Sequence, residues 1–325
     1  MKIDNEKFKA LQNWMYRNAR PLELAKWKYN IESGTKEEVL GCLKAFQNSD
    51  GGFGHGIEPD FWNPGSTPMA SWTAAQILKE IDAKPEEEIV RKLVKYLMGT
   101  LEPKTGMWSS TVPENNLYPH APWWQWSEGA QDNWMFNPSA ELSAYLIHWS
   151  SWDREAWEIG WQSMEKGIRR LMKVDEMDRH ELSNFKNALE ILRTDTKEFN
   201  EKIPYSFQAV EKKVWELIED CINKDCKKWG SDYLPLPLDF ITHPKYLENY
   251  QNPAMKKLVK QNLIYYANSL NEEGVWDITW NWDQYPEAFA VAKRIWKGVL
   301  IANRCKLFKE FNWIASKNSP TGTSR

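Results

Sequence analysis

The chain has 325 residues and a formal net charge of −3, from 42 Lys and Arg against 45 Asp and Glu. That length can bury a large core in one domain or two, and the charge balance gives no support for binding nucleic acid or an anionic membrane surface. No apolar run reaches the length of a membrane span, the charged start is unlike a secretion signal, and four irregularly spaced cysteines (Cys42, Cys221, Cys226, Cys305) predict free thiols in a cytoplasmic protein.

The first distinctive stretch is Gln47-Asn48-Ser49-Asp50-Gly51-Gly52-Phe53-Gly54-His55-Gly56-Ile57-Glu58-Pro59-Asp60. No Lys-Ser or Lys-Thr follows the glycines, so it does not read as a phosphate cradle. Gly51 to Phe53 predicts the turn after a helix, with Phe53 packed on a neighbour. His55, Glu58 and Asp60 exceed what a turn requires. Beside a cavity they form a candidate catalytic group, with Glu58 as the acid, Asp60 raising its proton affinity and His55 exchanging the proton. Against this stand a solvated polar loop, or a Glu58 that caps a neighbouring helix.

Thr67-Pro68 then predicts a helix start, with Thr67 as N-cap and Pro68 at the first helical position. Gly106-Met107-Trp108 repeats the glycine-aromatic turn. In Tyr118-Pro119-His120-Ala121-Pro122-Trp123-Trp124 two prolines stiffen a segment that presents one imidazole and two indoles. It reads as a pocket wall, with His120, Trp123, Trp124 and Trp126 as candidate substrate contacts, or as a loop packed by its own aromatics. Asp132, a candidate acid, and Asn137, a candidate contact, follow in the same long segment, near Trp134. Asn137-Pro138 repeats the helix-start pattern.

Apolar residues at helical spacing (Trp157, Trp161, Met164, Ile168, Leu171; then Leu182, Phe185, Leu189, Leu192) predict two further helices. Asp178, His180 and Glu181 read as ordinary helix-start residues without metal spacing. Gly274-Val275-Trp276 is a third glycine-aromatic turn. Asp277 and Asp283 flank Trp280 and Trp282 just before Tyr285-Pro286, where carboxylates among indoles suit a cationic intermediate or a sugar. Val291, Ile295, Val299 and Leu300 predict a last helix, and 317–325 a disordered polar tail.

The three turns are spaced regularly. Phe53 to Trp108 is 55 residues and Trp108 to Trp276 is 168, three times 56. Clean copies near 164 and 220 are not evident. Each recognisable unit is a helix, a glycine-aromatic turn, a loop and a Pro-initiated helix. About six such hairpins, each with an apolar face it cannot bury alone, predict an all-α fold: a double ring, or α/α toroid, in one domain over 1–316.

With its Gln, three residues, Gly, one residue and an aromatic, Gln47 to Phe53 resembles the Gln-Trp repeat of squalene and hopene cyclases. Ser71-Trp72-Thr73-Ala74-Ala75-Gln76-Ile77-Leu78 resembles the inner helix that follows that repeat, and most of the chain looks like single-domain terpenoid-cyclase-like or prenyltransferase-like proteins. The resemblance implies an α/α toroid binding an isoprenoid or other hydrophobic molecule in an aromatic cavity. The departures concern chemistry. The chain has no adjacent Asp pair, hence neither the Asp-x-Asp-Asp acid nor the Asp-Asp-x-x-Asp metal motif, and no Asp-x-Cys zinc ligand; Glu102 and Leu270 stand where the other repeats would carry Gln.

Three functions follow: a terpenoid-cyclase-like enzyme or isoprenoid binder, a carbohydrate-active enzyme using paired carboxylates, and a non-catalytic binding scaffold. No metal and no cofactor are expected. The expected ligand is a small hydrophobic or sugar-like molecule. His55, Glu58, His120, Trp123, Trp124, Asp132, Trp280 and Asp283 are expected to converge on one cavity.

Overall fold

The structure, a computed structural model, describes residues 2–231, 233–248 and 253–314. The tail expected at 317–325 lies outside the described residues. Helices α1 (Asn5–Asn18), α2 (Pro21–Ile31) and α3 (Lys36–Leu43) open the chain. Next come α4 (Pro68–Glu80), α5 (Glu88–Thr100), the one-turn α6 (Gln131–Trp134) and α7 (Ser139–Trp149). They are followed by α8 (Arg154–Leu171), α9 (Arg179–Ile191), α10 (Thr196–Lys202) and α11 (Phe207–Cys221). Last are α12 (Pro237–Phe240), α13 (Pro253–Asn268) and α14 (Pro286–Glu310). Among the described residues there is no strand, only isolated bridges, so the class is all-α.

The chain divides into two compact units, one of Met1–Cys42, Asn223–Asn281 and Glu287–Arg325, the other of Leu43–Ile222 and Trp282–Pro286. In the second unit α7 neighbours α4, α5, α8 and α9, while α8 neighbours α5 and α11. The helices thus form two rows, α4-α7-α9 and α5-α8-α11. Of α7's residues only His148 escapes full burial. Gly160 of α8 permits this close packing, since a Cβ there would lie 2.7 Å from Ile147 Cγ1 and 3.1 Å from the Ser143 carbonyl. The expected apolar stripes face this core: Trp161, Met164, Ile168 and Leu171 on α8, Leu182, Phe185 and Leu189 on α9 are all buried.

In the first unit the last helix departs from expectation. Val291 is 49% exposed, and Ile295, Val299 and Leu300 are not buried. The buried line of α14 runs instead through the small residues Ala288, Ala292, Gly298, Ala302 and Cys305, joined toward its C-terminal end by Ile301, Leu307 and Phe308. Small residues win because the start of α2 comes close: a Cβ on Gly298 would sit 3.5 Å from Glu23 Cβ and 3.6 Å from Ala19 Cβ. The second helix start also differs. Pro138 occupies the cap position, α7 begins at Ser139, and the Asn137–Pro138 peptide is cis. Asn137 does not cap α7; its side-chain oxygen accepts from Asn184 Nδ2 on α9 at 2.9 Å. Thr67 does cap α4, taking the Ala70 N–H at 3.0 Å.

The three glycine-aromatic turns share one construction. Gly51, Gly106 and Gly274 have φ of 93°, 74° and 74°, a region that only glycine enters at no steric cost. The aromatic that follows is fully buried in each case: Phe53, Trp108 and Trp276. In the first and third turns the asparagine five places before the aromatic (Asn48, Asn271) donates its N–H to the carbonyl just before the aromatic, and the glycine N–H returns to that asparagine's carbonyl. The second turn is one residue longer, with Glu102 in the equivalent role. Positions 164 and 220, where further copies were sought, fall inside α8 and α11.

The glycines separate cleanly in a stability measurement. A Cβ on Gly51 would lie 2.2 Å from the Lys92 carbonyl oxygen. Gly51→Ala is therefore expected to cost about 2–3 kcal/mol in urea denaturation. Gly41, within α3, has nothing within 4 Å of its Cβ position, so Gly41→Ala should gain roughly 0.5–1 kcal/mol.

Candidate functional site

All nominated residues except Trp280 belong to the second unit. They are carried by three segments outside the longer helices, within 54–67, 109–138 and 282–286. The loop after Phe53 folds tightly on itself, for a Cβ on Gly54 would meet the carbonyl oxygens of Gly65 and Pro64 at 2.3 and 2.4 Å. Its far end then pairs with the Pro-stiffened segment. The Trp62 N–H donates to the Pro119 carbonyl (2.9 Å) and the Ala121 N–H to the Asp60 carbonyl (2.8 Å). A third loop closes on these two: Trp282 Nε1 donates to Asp60 Oδ1 at 3.0 Å, Gln284 Nε2 to the His120 carbonyl at 2.8 Å, and the Tyr285 ring lies 5.6 Å from that of His120.

This knot brings Glu58, Asp60, His120 and Trp282 together and buries all four. Their polar atoms point into it. Glu58 Oε1 accepts the Asp60 N–H at 3.4 Å, and His120 Nδ1 donates to the Tyr118 carbonyl at 2.7 Å. His55, Asp132 and Asp283 are exposed, and the His55 imidazole lies 2.9 Å from Asn48 Oδ1. Trp280, in the first unit, packs edge-on against Tyr233 and Trp296. Trp126 is 38% exposed, and Asn137 is a buried link between its loop and α9.

A cavity of about 480 Å³ opens beside the knot. One side is the segment from Pro122 to Ser127, including Trp123 and Gln125; another is Asn133 and Trp134 of α6; the third is Asp178 and His180 at the start of α9. Trp134 is held as a rigid wall. It stacks on the buried Trp124 ring at 4.8 Å and 5°, and Trp124 in turn meets Phe61 edge-on at 5.3 Å. Asp178 Oδ1 accepts the His180 N–H at 2.8 Å and so fixes the corner of α9. Of the residues nominated from sequence, Trp123 lines this cavity. Asp178 and His180, read there as ordinary helix-start residues, line it too; no local signal marks them, because their partners on the other walls lie some 50 residues earlier in the chain.

A second polar centre sits between α4, α7 and α9. Glu141 is 2% exposed. Its carboxylate accepts from Tyr145 Oη (2.6 Å), Trp72 Nε1 (2.8 Å), Gln76 Nε2 and Asn187 Nδ2 (both 3.2 Å). Burial pushes its pKa up, and the four donors only partly oppose that. The Tyr145 hydroxyl, buried and next to this carboxylate, is raised well above its ordinary value and stays a donor. The sequence signal is a lone acid in the otherwise uncharged run Ser139-Ala140-Glu141-Leu142-Ser143-Ala144.

Among the described residues no group of three or more His, Cys, Asp or Glu is arranged to hold a metal, and no helix is long and apolar enough to cross a membrane. Comparisons with protein-family models, curated proteins and solved structures find no match.

Two outcomes follow. Because Glu141 binds its proton more tightly in the folded chain than in the unfolded one, its contribution is complete below the ordinary value of 4.5 and is lost as pH rises through the raised folded value. The melting temperature of Glu141→Gln should therefore vary less with pH above 4.5 than that of the parent chain. Asp60→Ala leaves the buried Trp282 N–H without this acceptor; chemical denaturation should register a loss of about 1–3 kcal/mol.

Proposed function

We propose that this protein recognises a carbohydrate, in the cavity walled by Trp123 and Trp134. The observation that carries the reading is the pairing of two indoles with a ring of polar side chains, Gln125, Asn133, Asp178 and His180, around an open space of about 480 Å³. An indole offers an apolar face to the axial C–H groups of a pyranose, while amides, imidazole and carboxylate take its hydroxyls. An isoprenoid would offer those polar groups no hydrogen bonds and would suit a drier enclosure. Hydrolysis by paired acids needs two carboxylates across the ligand, whereas Asp178 is the one acid on these walls. The reading is therefore binding rather than cleavage, and it makes the isoprenoid function implied by the sequence resemblance the alternative. We also propose that the rows α4-α7-α9 and α5-α8-α11 are a sector of the α/α toroid expected from the repeat, and retain the cytoplasmic setting suggested by the free cysteines.

Calorimetric titration with a panel of neutral oligosaccharides tests this. At least one is expected to bind, and Trp123→Ala should weaken it about tenfold or more, equivalent to roughly 1.4 kcal/mol, with an unchanged melting temperature. If no sugar binds and a farnesol-type alcohol does, the isoprenoid reading replaces this one.

A further inference from the structure

Four of the eight large apolar residues that are exposed among the described residues, Leu117 (76%), Tyr118 (36%), Trp126 (38%) and Tyr285 (41%), fall in one loop cluster of the second unit. The cluster is built, not frayed. The Trp126 N–H donates to Asn116 Oδ1 at 2.8 Å, and Asn116 Nδ2 returns to the Trp126 carbonyl at 3.0 Å, which fixes the backbone on both sides of Leu117 and Trp126. Tyr118 is tied through its carbonyl to His120, whose ring packs against Tyr285.

Its charge is one-sided. The segments that supply it contain no Lys or Arg: none between Lys44 and Lys79, between Lys104 and Arg154, or between Lys260 and Lys293. The exposed charges on the same loops are acids: Glu114, Glu128, Asp132 and Asp283. A chain that is nearly balanced overall thus carries acids, and no Lys or Arg, on the loops that present these exposed rings. Planar cations stack on Tyr and Trp faces, and guanidinium does so better than ammonium because it is flat and weakly hydrated. An anionic surface would be repelled.

We propose that this loop cluster is a docking surface for an arginine-rich segment of a partner protein. Its rings stack guanidinium groups, and the surrounding carboxylates supply attraction and register. The proposal is independent of what the neighbouring cavity binds.

A hexaarginine peptide, titrated into the full chain at low salt and followed by calorimetry, tests it. Binding is expected, about fivefold weaker in Trp126→Ala and less salt-dependent in the double variant Glu128→Gln, Asp132→Asn. Hexalysine and spermine should bind more weakly than hexaarginine. The proposal is overturned if hexaarginine does not bind, if Trp126→Ala binds it as well as the parent does, or if hexalysine and spermine match it, since the last result would reduce the effect to charge alone.

Discussion

The tryptophan indole N–H, used as a cap for helix C-termini, is the interaction on which much of this architecture rests. The last carbonyls of a helix have no partner within it. Trp108 Nε1 donates to the Leu97 carbonyl in the last turn of α5, and Trp276 Nε1 to that of Tyr266 in the last turn of α13. Trp149 Nε1 donates to the Ala83 carbonyl, in the turn past α4, and Trp229 Nε1 to the Asn223 carbonyl. Trp108 and Trp276 fill core volume while their one polar atom closes a helix end, so packing and capping are done by the same side chain. The positive-φ glycine two residues earlier is what lets the chain reverse quickly enough to bring Trp108 or Trp276 back against the helix it has just left.

The site inherits its rigidity from that device. The Phe53 N–H donates to Ser71 Oγ on α4 at 3.0 Å, and the Trp108 N–H to Ser139 Oγ on α7 at 2.9 Å, so the first two turns are each fastened to a later helix. The loops between those points cannot wander far. Three of them meet, and the Asp60–Trp282 bond joins residues 222 apart in sequence. Trp124, lodged between Phe61 and Trp134, passes that order to the cavity wall. Of the acids nominated from the sequence, Asp60 receives an indole N–H and Glu58 accepts an N–H of its own turn, while Asp132 and Asp283 are exposed.

Legibility in the sequence followed the range of the forces involved. The helices, the glycine-aromatic turns and the Thr67 cap depend on neighbours within a few residues, and all are readable. Asn137 was misread as a cap because its amide is claimed by Asn184, 47 positions away. Part of the buried line of α14 was missed because periodicity weighs large apolar residues, whereas the close approach at Gly298 admits only a small residue there. The cavity's far wall belongs to α9, and nothing in Asp178-Arg179-His180 announces which loop it will face. The sequence holds 20 tryptophans. Their division between capping and pocket walls was not legible in it, because an indole's role depends on where its N–H lands.

Two glutamates show how burial can separate carboxyls with similar neutral donors. Glu32 accepts from Gln12 Nε2, Tyr16 Oη and Trp27 Nε1 at 2.7, 2.6 and 3.0 Å; Glu141 accepts from a Gln, a Tyr and a Trp as well, with Asn187 added. Burial raises both carboxyls. For the half-buried Glu32 the hydrogen bonds, led by Tyr16 and helped by Lys28, outweigh it and hold the group below the ordinary value. For Glu141, sealed between three helices with a richer donor set, burial prevails. Hydrogen bonds from neutral donors replace the water a carboxylate loses, but they do not replace the surrounding dielectric. Glu32 is thus suited to stay ionised and tie the end of α2 to α1. Glu141 is the carboxyl that binds its proton more tightly in the folded chain, at the junction of α4, α7 and α9.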